Sequence, residues 1–380
     1  MDNEGGRPFS FPGKVPGYEN MFPDVDRINP EYFRYIDRKI DYLNEQGFVP
    51  FIEVSRRDAS MCWKKYYRWP ESYACFIQYV FTRYQANNTV LSPVHLDIID
   101  ETVPPEEFLK AIQYVMEKFG PPPFGTLLSA NANPSTLENW GEDSWVTLHQ
   151  IGNMREHNNY WYLTEIYRAR PARPAINGEP YYSGYVDARG LGGSGYRYGA
   201  PGNSEKDDEI VRSGMYGSFL SGGFGGHVYG AEGIWGADIE PAAPIKMWDS
   251  FQWSSAKQMQ YLRTFAFSIR KRYQDLEPNA DLISPNKDHT LRSYEGWAYC
   301  ARTPDKNIFL VYFEKGCPHA EIRGAKLNSI YRAQWFNPRD GTFHDGSDGH
   351  LRSSRIGIIE LPDFPGDNDW GLRLTYEAAK

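Results

Sequence analysis

Helical and strand-like apolar patterns alternate along the first two-thirds of the chain. Phe33, Ile36, Ile40 and Leu43 recur at the spacing that lines one face of a helix. Asn29 is a fitting N-cap, Pro30 suits the first helical position, and Gly47 closes the segment. A short apolar run, Phe48 to Val54, follows. A second helix is predicted from about Pro70 to Tyr84, with Ala74, Ile77, Val80, Phe81 and Tyr84 on one side, leading into a strand from Thr89 to Leu96. A third, opened by Pro104 and Pro105 and stopped by Gly120, leads into Gly125 to Ala130. Then come a strand over Trp145 to Ile151, a helix near Tyr160 to Arg168 and a strand over Pro174 to Asn177. An amphipathic segment near Asp207 to Leu220, a strand over Gly225 to Gly230 and a helix near Lys257 to Phe265 complete the series. Short apolar runs separated by helices predict a parallel sheet covered by helices.

After about Ser284 the texture changes. Strand-like runs at Trp297 to Arg302, Ile308 to Phe313, Ala320 to Arg323, Tyr331 to Phe336, Ile356 to Leu361 and Leu372 to Tyr376 are separated by turn signals. No helical periodicity intervenes, so this region reads as an antiparallel β-sandwich. The Asp-Gly cluster from Asp340 to Gly349 reads as turns. A calcium loop would need twelve-residue ligand spacing ending in Glu.

Composition narrows the function. Aromatic residues make up 16 % of the 380, with 27 Tyr and 11 Trp. Such side chains pair an apolar face with a polar tip, which suits sugars, although large cores use them too. A net charge of −8 argues against a nucleic-acid partner. No run reaches the roughly 18 apolar residues of a membrane span. The Gly- and Pro-rich first thirty residues read as an irregular loop without signal-peptide features. Cys62, Cys75, Cys300 and Cys317 show no CxxC pairing, and fit free thiols as well as disulfides. His149 and His157 lack a partner at ligand spacing, and HExxH, Walker A and GxSxG motifs are absent. No metal or cofactor is therefore expected. The Gly193–Gly199 stretch lacks the spacing of a phosphate loop. Compartment and oligomeric state stay open.

Two carboxylates end apolar strand runs: Asp97 after Val90 to Leu96, and Glu179 after Arg173 to Gly178. The loops that follow the strands are where α/β barrels place their sites. Glycoside hydrolysis needs such a pair: one carboxylic acid protonates the leaving oxygen, and the other attacks or activates water. His149 and Gln150 close the strand before that of Glu179, as sugar ligands or as structural groups. Glu53, Arg56, Arg57 and Asp58 cluster after the first strand, as an ion-pair network or as part of a pocket floor. Tyr181, Tyr182 and Trp235 are candidate stacking platforms or core aromatics, with Trp235 ending the last strand segment. His227 and Tyr229 alternate, so on one strand they would face the same way.

The order of these segments resembles the apiosidase-like glycoside hydrolases. The matching pieces are RPAINGEPYY (Arg173 to Tyr182), WVTLHQIGN (Trp145 to Asn153), the helix and strand ending at Asp97, the Gly-rich stretch Gly214 to Gly236, and YRAQWFNPRDG (Tyr331 to Gly341). The resemblance implies a (β/α)8 TIM barrel over residues 1–284, here without its first two strands, and a collagen-binding-type β-sandwich over residues 285–380. It implies Glu179 as nucleophile at the end of strand seven and Asp97 as acid/base at the end of strand four. His95-Leu96-Asp97 stands where the family has Gly-Gly-Asp, which adds His95 to the substrate-binding candidates with Glu53 and Arg57. The implied activity is hydrolysis of O-glycosidic bonds in a plant or microbial polysaccharide, with retention favoured. The altered motif and the missing strands keep a non-catalytic carbohydrate-binding protein as the alternative.

Overall fold

The computed structural model describes residues 28–56, 69–96, 103–141, 145–152, 160–184, 199–235, 239–243, 245–286 and 295–379. The N-terminal loop, Arg57, Asp58, Cys62, Asp97 and the glycine-rich stretch 193–198 lie outside the described residues. The chain divides into two compact units, Met1–Gly152 and Asn153–Lys380.

In the first unit, helix α1 (Pro30–Glu45) starts as its sequence dictates. The Asn29 side chain accepts from the Glu31 N–H, which satisfies one of the orphan donors of the first turn. Gly47 leaves the helix at φ 82°, a left-handed conformation open to glycine. Strand β1 (Phe51–Glu53) follows, then α2 (Glu71–Tyr84), β2 (Val90–Ser92), β3 (His95–Leu96), α3 (Pro105–Phe119), β4 (Leu127–Leu128), β5 (Asn131–Ala132), α4 (Thr136–Trp140) and β6 (His149–Ile151). The expected strand over Thr89 to Leu96 is thus two pieces, because Pro93 has no N–H to give a ladder. β1, β2 and β4 pair in parallel, Phe51 beside Val90 and Val90 beside Leu127, and β3 pairs in parallel with β5. The apolar faces of α1, α2 and α3 supply a core that includes Phe33, Tyr73, Ile77, Phe108 and Ile112.

The second unit opens with α5 (Trp161–Arg168), β7 (Ala175–Asn177), β8 (Tyr182–Ser183), α6 (Glu205–Leu220), β9 (Gly226–His227) and β10 (Gly230–Ala231). It continues through α7 (Glu232–Trp235), α8 (Met247–Ser250) and α9 (Ser254–Phe267). β7 pairs in parallel with β9, and β8 with β10. The segment expected as one strand over Gly225 to Gly230 is therefore split. His227 and Tyr229 do not share a pleat, and Trp235 sits on a helix rather than at a strand end.

Helix α6 differs from its expected amphipathic character: every residue from Asp207 to Leu220 is buried. The reason is a layer on each side. Asn177 of β7 donates to Ser218 Oγ at 2.9 Å, while Tyr216 stacks on Tyr312 at 4.8 Å between centroids. The approach is close: a Cβ on Gly217 would lie 2.7 Å from the Tyr299 ring.

Tyr299 and Tyr312 belong to an antiparallel sheet of β11 (Glu277–Pro278), β13 (Ala298–Arg302), β14 (Ile308–Phe313), β16 (Ser329–Asn337), β17 (Thr342–Arg352) and β19 (Trp370–Ala379). Its order is β11-β13-β14-β19-β16-β17. A second sheet, β12 (Ile283–Ser284), β15 (Glu321–Ile322) and β18 (Ile359–Glu360), contributes Ile283, Ile322 and Ile359 to a core shared with Phe309, Val311 and Leu372. The sheet-rich tail is thus antiparallel as expected, with one correction. Asp340-Gly341 is a turn, but the rest of the Asp-Gly cluster lies inside β17. β17 is an edge strand, where glycine and acidic residues are tolerated, and a register shift between Arg332 and Gln334 of its partner accommodates it.

Arg212 of α6 is tied to the tail at Asp369, donating from Nε at 2.7 Å and Nη2 at 2.9 Å. Tyr312 and Arg339 donate to the same carboxylate. Burial alone would raise the Asp369 pKa, but Arg212 and Tyr312 bring it below the usual carboxylate range. Cys75, Cys300 and Cys317 are free thiols. Among the described residues no helix is long and apolar enough to cross a membrane.

Candidate functional site

The first unit gathers three polar side chains, one closing β1 and one opening each of β3 and β5. His95 Nδ1 lies 2.5 Å from Glu53 Oε2, and its Nε2 lies 3.3 Å from Asn131 Nδ2. Both ring nitrogens are thus held, Nδ1 by a carboxylate and Nε2 by the Asn131 side-chain amide. Glu53 and His95 are each expected from the sequence; Asn131 is not, its only signal being a polar residue inside a short buried strand. His149 is buried, its Nδ1 2.7 Å from Thr136 Oγ1. Thr136 also accepts from the Gln150 N–H at 3.1 Å. Gln150 Nε2 is shut off from solvent without a hydrogen-bond partner among the described residues.

The second unit holds Glu179, two residues beyond the end of β7 and 4 % exposed. Tyr182 donates its phenol proton to Glu179 Oε1 at 2.9 Å. Tyr181 turns elsewhere: its hydroxyl donates to Asp207 Oδ1 at 2.8 Å. Asp207 also accepts from Ser183 Oγ and from the Gly184 N–H. Burial pushes the Asp207 carboxyl up to about 6, and these donors oppose that rise. The loop bearing Glu179 is therefore pinned to the first turn of α6, where Ser204 caps the Asp207 N–H. Asp207 has no sequence signal of its own beyond opening a segment expected to be amphipathic, since its role comes from Tyr181, Ser183 and Gly184.

Tyr229 joins the same network through Ser255, which lies 3.1 Å from its hydroxyl and 3.3 Å from Ser183 Oγ. His227 pairs with Asn177 in the β7–β9 register. Its Nδ1 is sealed from solvent, and burial pushes the imidazole pKa down to about 3, so the ring is neutral. Trp235 is 48 % exposed on α7, and Glu232 at the start of that helix is buried. The structure thus brings Tyr182 to Glu179 and Glu53 to His95, and takes the Tyr181 hydroxyl to Asp207. Among the described residues no group of three or more His, Cys, Asp or Glu is placed to hold a metal ion.

Parallel strands backed by helices, followed by an antiparallel sheet, form a mixed α/β fold like that of solved glycoside hydrolases. A solved structure described as a glycoside hydrolase superposes on 90 % of this chain and 77 % of its own, at 16 % identity and TM-score 0.70. A second, described as a glycoside hydrolase family 5 protein from Bacteroides vulgatus, covers 90 % and 74 %, again at 16 % identity and TM-score 0.70. The chain belongs to the apiosidase-like family, whose catalytic domain matches residues 3–271. No curated protein matches the sequence.

Proposed function

We propose that this protein is a retaining glycosidase acting on a plant or microbial polysaccharide, with Glu179 as nucleophile and Asp97 as acid/base. The observation that carries the reading is the buried Glu179 carboxylate, just beyond β7 and held by the Tyr182 phenol. In this mechanism Asp97 protonates the departing glycosidic oxygen while Glu179 attacks the anomeric carbon. The resulting glycosyl ester is hydrolysed by water that Asp97, now ionised, deprotonates. Family membership and fold support the reaction class. The parallel strand pairs are read as arcs of a (β/α)8 TIM barrel, six of whose strands are the segments before residue 284, followed by a sandwich over residues 285–380. Around Glu179, the candidates to contact sugar are Tyr182, Tyr229 and Trp235.

The test is release of reducing sugar from a panel of plant and microbial polysaccharides, with the anomer of the first product read by NMR. Glu179→Gln is expected to fold normally and to lose turnover, and the wild type to give the retained anomer. Turnover by Glu179→Gln at the wild-type rate would remove Glu179 from the mechanism. Two carboxyl groups about 5–5.5 Å apart in a sugar complex would fit retention; about 6.5–9.5 Å would mean inversion.

A further inference from the structure

We propose that a groove between helix α5 and the C-terminal sheet is a second carbohydrate-binding site, separate from Glu179 and built for a segment of neutral polysaccharide. Two adjoining clefts of about 280 and 260 Å³ share Arg168, Pro278 and Asn279 and so form one elongated channel. A continuous groove suits several consecutive sugar units better than a single one.

The lining has the chemistry of sugar recognition. Trp161 is 48 % exposed and stacks on Tyr162 at 3.9 Å between centroids, which fixes its plane. Across the first cleft stands Trp297, half-buried on the sheet side. Indole faces of this kind take the C–H face of a pyranose or furanose ring at little entropic cost. Between them lie Glu165, Arg168, Asn279 and Asp281. The side chains of these four make no hydrogen bond among the described residues. They are left to meet hydroxyls as donors and acceptors in a mixed array. Along the whole channel Glu165, Glu277 and Asp281 stand against Arg168 and Arg302, a near-balanced lining with no cationic excess for a polyanion, so the ligand class is the neutral glycan. The geometry is also persistent: Thr164 donates to the Ser221 carbonyl at 2.8 Å and the Asn279 N–H to the Cys300 carbonyl at 2.8 Å, tying both walls to the core.

The experiment is affinity electrophoresis of the full chain in native gels holding soluble arabinoxylan, xyloglucan, galactomannan, mixed-linkage β-glucan or polygalacturonate. At least one neutral polysaccharide is expected to retard the wild type. Trp161→Ala and Asn279→Ala should bind it about tenfold more weakly, with unchanged melting temperature. Glu179→Gln should be retarded as the wild type is, so failure of the catalytic reading leaves this result intact. Three outcomes would overturn the site: no retardation by any neutral polymer, equal retardation of wild type and both groove variants, or retardation by polygalacturonate alone.

Discussion

The Tyr182 phenol donates to Glu179 Oε1 across only three residues of chain. A carboxylate fixed by a donor on its own loop is oriented before substrate arrives. Tyr182→Phe is expected to lower kcat about a hundred- to a thousandfold, the range of losing one preorganised donor. KM should change little, and the melting temperature should not move. Unaltered kcat on the same polysaccharide would show that the bond is not used in turnover.

A pH dependence of stability follows from buried carboxyls. Burial pushes Glu314 up to about 8, although Ser213 Oγ and the Trp297 N–H both donate to it. Its unfolded value is about 4.3. The folded state therefore holds this proton more tightly than the unfolded state does. The contribution is fully present below about pH 4.3 and is lost as pH rises through 8. Asp207 behaves alike over a lower window, ending near 6. Melting temperatures of Glu314→Gln should fall less between pH 6 and 8 than those of the wild type. Parallel curves would refute the assignment of that slope to Glu314.

Removing one member of the Arg212–Asp369 pair should be severe. Their side chains are 3 % and 2 % exposed. Asp369→Asn leaves a guanidinium buried beside a neutral amide, for an expected loss of about 3–5 kcal/mol. Urea denaturation measures it. The double variant Arg212→Met, Asp369→Leu should recover part of that loss, because the buried Arg212 charge is gone while Arg339 and Tyr312 still lose their acceptor. A double variant as unstable as the single would mean that packing, not charge, dominates there.

Much of this fold is legible along the chain, and the failures have physical causes. Asn29-Pro30 and Gly47 bracket α1 because capping and positive φ are local requirements. Pro105 and Gly120 bracket α3 in the same way. The even burial of α6 is not local: it depends on β7 and on a sheet that begins only at Glu277, well after the helix has ended. β17 escapes because Asp and Gly signal turns, whereas an edge position and a bulge in the partner strand forgive them. At the candidate site, Glu179 is visible as an acid closing an apolar run. Asp207 and Asn131 are not, since their roles come from tertiary neighbours.

Helix α6 gives the C-terminal strands an influence beyond their own layer. Its first turn anchors the loop that carries Glu179, through Asp207, and its later turns are clamped by Tyr312, Tyr299 and Asp369. A polypeptide ending at Ser284 would expose one whole side of that helix and strand Arg212 without its counter-charge. The sheet then behaves less like cargo than like scaffolding left permanently in place. Inherited changes in its strands would be screened through activity, by the tilt they impose on a helix shared with the loop of the proposed nucleophile.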